Sequence, residues 1–200
     1  MSTPESAPAR DVINRDTHVL TLAKRLLRLE VRTQMIMKLT GLPRNRLAAL
    51  RRRLNVPSAT RPRGHTHWRA QSFVATAERR FETASLAALL MLCDLVGPEG
   101  SPAARRLDRL DVGERLCEIY EYVRACFPDI EIDLERLLLL HTSLVRREHL
   151  EVGRCLCCGC PIVLERDDRR HRICTVCESG EEGMAAASAS ASGLPPGSRA

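Results

Sequence analysis

Six of the nine cysteines in this 200-residue sequence lie close together, and that cluster constrains the fold more than any other feature. The cluster reads Cys155-Leu-Cys-Cys-Gly-Cys160 and then Cys174-Thr-Val-Cys177. Two C-x-x-C hooks separated by roughly 15–20 residues are the spacing of a four-cysteine zinc site, because each hook turns two thiolates toward one tetrahedral ion. The cluster therefore predicts a small domain that is held together by metal.

The first hook has two possible registers, Cys155 with Cys158 or Cys157 with Cys160. Gly159 favours the first register, because a glycine just after the second ligand lets backbone N–H groups turn toward the sulfurs without a clash at Cβ. The other register is followed by a proline, which has no N–H to offer. The second hook contains only two cysteines, so its pair of ligands is not ambiguous.

The predicted ligands are therefore four cysteines: Cys155, Cys158, Cys174 and Cys177. Four thiolates leave no coordination position open, so we expect one structural zinc ion per chain and no metal catalysis. His171, three residues before the second hook, is an alternative ligand. Residues 162–164 and 171–173 are predicted to pair as the short hairpin of a zinc ribbon.

Composition excludes several other classes of protein. No run of residues approaches the 18 apolar positions of a membrane span, and residues 1–11 lack the apolar core of a secretory signal. Without export, an odd number of cysteines is a poor disulfide framework. We therefore expect a cytoplasmic chain without a membrane partner, whose clustered cysteines bind metal.

The charge of the chain is concentrated at one end. The formal net charge is +6, but residues 1–82 hold 17 Lys and Arg against 6 Asp and Glu, whereas residues 83–200 hold 14 against 19. The segment from Lys24 to Arg80 alone carries 15 basic and 2 acidic residues. Concentrated arginine neutralises phosphates well, so this half of the chain is predicted to bind a polyanion.

Apolar spacing divides the chain into four parts. Residues 1–10 are predicted to be disordered, and residues 11–150 to form a helical domain that binds DNA and a partner. Within it we expect helices over residues 11–39, 43–54 and 72–96, one or two more up to Phe127, and one from Asp133 to about His149. The four-cysteine ribbon is predicted over 151–178 and a disordered tail over 179–200.

The stripe that the third helix is expected to bury consists of Val74, Ala77, Phe81, Ala84, Ala88, Leu92 and Leu95.

A second pattern is the helical pair joined by Thr40-Gly-Leu-Pro43, which resembles a helix-turn-helix. Opposite its leucine stripe, the second helix of the pair carries small and basic side chains that suit a major groove. An arm over residues 55–71 continues the basic character. The predicted DNA contacts are Arg44, Asn45, Arg46, Arg51, Arg52, Arg53, Arg61 and Arg63.

The sequence contains none of the nucleophile, phosphate-loop or zinc-protease motifs of common enzymes, so we expect no catalytic activity. Two other functions stay open. The ribbon and the leucine-rich helices could make the chain an interaction adaptor whose partner contacts DNA. A thiol redox sensor is a further alternative, although a helical context differs from that of the thioredoxin-like C-x-x-C motif.

Several motifs in order resemble the FlhC family, the zinc-containing subunit of the bacterial flagellar master transcriptional activator. They are Thr40-Gly-Leu-Pro-Arg-Asn-Arg-Leu47, an arm that ends near Trp68, Leu144-Val-Arg146, Arg154-Cys-Leu-Cys-Cys-Gly159 and Ile173-Cys-Thr-Val-Cys177. Together they cover about residues 12–178. Cys160 and the Ala/Ser-rich tail depart from the pattern of the family.

The resemblance implies a mostly α-helical subunit that works with FlhD in a hetero-hexamer of four FlhD and two FlhC chains. It implies binding to promoter DNA of flagellar operons and activation of RNA polymerase, and hence a role in flagellum biogenesis. The zinc ligands of the family correspond to Cys155, Cys158, Cys174 and Cys177.

Overall fold

The computed structural model describes residues 7–56, 69–97, 107–128, 133–167 and 171–180. Within these residues there are six helices, a 3-10 turn at Ala70–Phe73, one β-hairpin and a short helical stretch over 175–180. The helices are α1 (Ala7–Arg28), α2 (Thr33–Thr40), α3 (Arg44–Arg53), α4 (Ala77–Leu92), α5 (Arg109–Cys126) and α6 (Leu134–Arg146). The hairpin pairs β1 (Leu150–Arg154) with β2 (Pro161–Glu165) in antiparallel register. The expectation of a mostly helical fold is confirmed.

The first helical segment differs from its prediction at both ends. α1 begins at Ala7, so residues 7–10 are helical rather than disordered, and residues 1–6 lie outside the described part. The single helix expected up to Leu39 is divided into α1 and α2. Glu30 adopts a left-handed conformation, with φ of 58°, between them. That reversal lets Val31 and Ile36 both enter the core, where each is at most 2% exposed.

The turn between α2 and α3 follows the sequence prediction. Gly41 adopts φ of 73° and ends α2, and its N–H donates to the Met37 carbonyl. The Thr40 hydroxyl donates to the Ile36 carbonyl at 2.6 Å and accepts from the Leu42 N–H at 3.2 Å. Leu42 is buried, so its packing against the core holds the turn in place. The turn in turn determines the direction of α3.

One apolar core joins all six helices and one face of the hairpin. It contains Leu22 and Leu26 of α1, Leu90 of α4, Leu116 of α5 and Leu137 of α6, each at most 1% exposed. As expected, Asp133 caps α6, and its carboxylate accepts from the Arg136 N–H. However, α6 ends at Arg146, before the predicted His149.

The face that α4 turns to the core was predicted wrongly. The buried residues are Thr83, Leu86, Ala87 and Leu90. Of the predicted stripe, Phe81 is 53% and Leu92 is 80% exposed. α4 carries apolar side chains on two faces, so the periodicity alone could not distinguish the core face from the outer one.

Candidate metal centre and basic helix

The loop that joins β1 to β2 carries the first cysteine hook. The Cys155 N–H donates to the Cys160 carbonyl at 2.8 Å, and the Gly159 N–H donates to the Cys155 carbonyl at 3.0 Å. Gly159 has φ of 73°, a conformation that residues with a Cβ rarely adopt. The tight loop therefore depends on the glycine that favoured the first register in the sequence.

The second hook lies at the start of the helical stretch over residues 175–180. The Cys174 N–H donates to Cys155 Sγ at 3.2 Å, which ties the two hooks together. The Cys177 N–H donates to Cys174 Sγ at 3.5 Å. Backbone donors aimed at sulfur stabilise the thiolate form, which is the form that binds metal.

The hairpin beside this site is not the predicted one. β2 contains residues 162–164, as expected, but its partner is β1, which precedes the first hook. Residues 171–173 are not in a strand. Leu150 and Val152 alternate with polar residues, a period-2 pattern that could have identified β1 in the sequence.

The four predicted ligands come together. The Sγ atoms of Cys155, Cys158, Cys174 and Cys177 all lie within 4.8 Å of one another, and those of Cys158 and Cys174 are 3.7 Å apart. Four sulfurs at about 2.3 Å from a tetrahedral ion are separated by roughly 3.8 Å. The group can therefore hold a metal ion with little rearrangement.

The surroundings of the group act in opposite directions on two of its thiols. Backbone N–H groups of Cys158 and Cys174 lower the pKa of Cys155 to about 6. Hydrogen bonds with the neighbouring thiols, Cys174 first, raise the pKa of Cys177 well above its usual value. Cys155 is also the most buried of the four.

The alternative ligands are not in this group. Cys157 and Cys160 are exposed, and neither their sulfurs nor the ring nitrogens of His171 are among the donor atoms that converge. Cysteines in a helix commonly behave as small buried apolar side chains. Cys117 is buried in this way, and burial raises its pKa to about 12, whereas Cys126 is exposed.

α3 presents the predicted basic face to solvent. Leu47 and Leu50 are buried against the core, and the exposed residues on the helix are Arg44, Asn45, Arg46, Ala48, Arg52 and Arg53. Arg51 is half-buried. The last two predicted contacts, Arg61 and Arg63, lie outside the described residues.

The arginines of α3 differ from most others in the basic half of the chain. Arg25 binds Glu114 at 2.8 Å and Glu121 at 2.6 Å, and Arg32 binds Glu135 at 2.9 Å. By contrast, the exposed arginines of α3 form no ion pair with any carboxylate that the structure describes.

Beside these arginines, α3 borders a cleft of about 550 Å³. Its walls include Leu27 of α1, Thr33 of α2, and Arg44, Arg52 and Asn55 in and just after α3. Sequence reasoning missed Thr33 and Asn55 because only folding brings α1 and α2 against α3.

The described chain thus combines a helical body with a four-cysteine group that can hold a metal ion. No family model matches this chain, and no curated protein matches it either. Among the described residues, no helix has the combination of length and hydropathy needed to cross a membrane.

Proposed function

We propose that this chain is a DNA-binding subunit of a transcriptional activator, of the FlhC type, with one structural zinc ion. The observation that carries the proposal is α3, a surface helix whose four exposed arginines form no ion pair with a carboxylate that the structure describes. A ten-residue helix is about 15 Å long and fits a major groove about 12 Å wide. The buried leucines on its other side fix its orientation.

The arrangement of side chains on α3 supports DNA rather than an acidic protein. Arg44 and Arg46 lie in the first turn, where the helix dipole also favours a phosphate. Ala48, in the middle of the exposed face, permits close approach to bases. Arg52 and Arg53 lie about two turns further on, so basic side chains occur at both ends of the helix, as phosphate contacts on the two sides of a groove require.

Zinc is the metal we propose for the cysteine group. Four thiolates in tetrahedral spacing favour zinc, and a closed set of ligands gives it a structural role. When bound, the ion would supply the cross-link between the two hooks. Metal analysis of the purified chain should find about one zinc per chain.

The quoted sequence motifs support the rest of the proposal. They suggest a cytoplasmic complex with an FlhD-like partner, promoter DNA of flagellar operons as target, and contact with RNA polymerase. The test is promoter binding with and without that partner. If the partner alone accounts for all DNA affinity, the chain is an adaptor.

The proposed DNA face is tested by the double variant Arg52→Ala/Arg53→Ala, measured over a range of salt concentrations. If both side chains neutralise phosphates, the slope of log K against log salt should fall by about 1.8, because each phosphate contributes about 0.9. The matched control is Arg124→Ala/Arg146→Ala, which removes the same charge from exposed positions elsewhere. Equal effects of the two double variants would contradict a specific role for α3.

A further inference from the structure

The outer apolar face of α4 borders a cavity. Phe81, Ala84 and Ala88 lie on this face, away from the core residues of the same helix. The opposite wall belongs to the cysteine module, which we define as residues 150–180, and includes Ile173 and Val176. Phe81 is 53% and Val176 is 62% exposed, so two large apolar side chains stand open to solvent at the same place.

The cavity has the size and lining of a binding site for an apolar group. Its volume is about 420 Å³, which includes the space beside Cys158, Cys174 and Cys177, and it lies within the range of about 300–1,000 Å³ that is usual for small-ligand pockets. At its edge, Arg80 of α4 is already paired with Glu178 at 3.1 Å. Because that charge is satisfied, the cavity favours an occupant that brings apolar side chains rather than charge.

We propose that the occupant is Leu194-Pro-Pro196 of this same chain. The segment follows the described residues and is the part of residues 181–200 where large apolar side chains are adjacent. The ring of each proline restricts φ to about −65°, so ordering this segment on docking costs less conformational entropy than ordering other residues would. Proline-rich segments bind grooves that offer an aromatic wall, which Phe81 supplies here, and the alanines of α4 let the backbone approach closely.

Because the segment belongs to the same chain as the cavity, it is favoured over an untethered peptide of the same sequence. The helical stretch that lines the cavity ends at Gly180, three residues after Cys177, a cavity residue. Thirteen residues separate Gly180 from Leu194, and a linker of that length rich in small residues has a root-mean-square length of roughly 20 Å and a maximum of about 45 Å. Gly180 lies about one helical turn, roughly 5 Å, beyond the cavity residue Cys177. The linker is therefore long enough for Leu194 to reach the cavity.

A linker of this kind holds the segment at an effective concentration in the millimolar range. An intrinsic dissociation constant of about 1 mM is therefore enough to keep the cavity occupied in a substantial fraction of molecules. The intervening residues are small and polar, mainly Ala, Ser and Gly, so the linker itself adds little cost.

The direct test is photo-cross-linking in the full-length chain with its metal bound. A p-benzoylphenylalanine replacing Phe81 should cross-link, within one molecule, to the peptide that contains residues 194–196. The matched control is the same probe at Leu92, which is 80% exposed on the same helix but does not line the cavity. A mixture of isotope-labelled and unlabelled chains distinguishes links within one chain from links between two.

Each other result overturns the proposal. Cross-links between chains would make a second copy the occupant, and cross-links to a different segment or to nothing would leave residues 194–196 without this role. A second measurement avoids the photoprobe. The Leu194→Asp variant should bind the dye ANS more strongly than the unchanged chain, and a free peptide of residues 190–200 at millimolar concentration should reverse the gain. Unchanged dye binding in this variant would also contradict the proposal.

Discussion

The helical body and the cysteine module are held together in different ways. The body has a continuous core that includes several fully buried leucines from different helices. The module's own cluster of buried residues consists of Cys155, Ile162 and Leu164. Segments below about 40 residues usually need a metal, disulfides or a partner to stay folded. The body can therefore fold on apolar burial, whereas we expect the module to need a metal ion bound by its thiolates.

Metal removal should have the largest effect and should divide the two regions. Structural zinc contributes an apparent 10–16 kcal/mol in small zinc-bound peptides, so chelation should disorder the hooks while the helical body persists. Limited proteolysis should then cut residues 155–160 and 171–180, and far-UV circular dichroism should change little.

Two neighbouring substitutions test which thiols bind the metal. Cys158→Ser should reduce zinc content strongly, whereas Cys157→Ser should leave it near one per chain, because Cys157 is exposed and outside the convergent group. Equal loss in both variants would show that the ligand register is wrong.

A core substitution should produce the opposite pattern. Leu137 is fully buried in α6, so Leu137→Ala should lower the free energy of unfolding by about 2–5 kcal/mol. Urea denaturation followed by circular dichroism measures this loss. Zinc content of the folded fraction should not change. The control Leu92→Ala should cost at most about 0.5 kcal/mol, because that side chain is 80% exposed. A large zinc loss in Leu137→Ala would mean that the regions fold as one unit.

Acid should reveal a buried histidine of the body. Burial lowers the pKa of His141 to about 4 from its usual 6.5. Between pH 4 and pH 6.5 the unfolded chain binds a proton at His141 that the folded chain does not. The stability that neutral His141 contributes is therefore fully present above pH 6.5, and it is lost progressively as the pH falls to 4. The difference corresponds to about 3 kcal/mol. Since acid also releases metal, the measurement is the difference in unfolding free energy between the chain and its His141→Leu variant across this range. A constant difference would contradict the shifted pKa.

The smallest effects should come from two glycines with the same backbone conformation. Gly41 and Gly159 both have φ of 73°, and an alanine in this conformation costs about 1 kcal/mol or somewhat more. Gly41→Ala should lower the stability of the body by at least that amount, because the new Cβ would also lie 2.6 Å from Arg109 Nη2 and the arginine side chain must move. Gly159→Ala should instead lower metal affinity by about five-fold, since no atom lies within 4 Å to add a clash. Loss of metal affinity in Gly41→Ala would contradict the separation.

The sequence predicts the metal group better than it predicts the surfaces around it. The cysteine spacing and Gly159 concern residues that are close together in the sequence, so the ligands can be predicted from them without knowledge of the tertiary structure. The Gly41 turn and the Asp133 cap are local in the same sense. The core face of α4 is not, because Phe81 and Leu90 are both apolar and only packing against β2 and α6 decides which is buried. The pairing of β1 with β2 likewise could not be predicted from the cysteine hooks, because β1 precedes the first of them.

β2 lies between the two regions and belongs to both. Val163 is buried in the core of the body, and its neighbours Ile162 and Leu164 are buried in the cluster of the module. Alternation along a strand is what places adjacent side chains on opposite faces. The border between the two regions therefore passes through the strand itself and not through a flexible connection. One residue step along β2 therefore changes which of the two apolar clusters a substitution reaches.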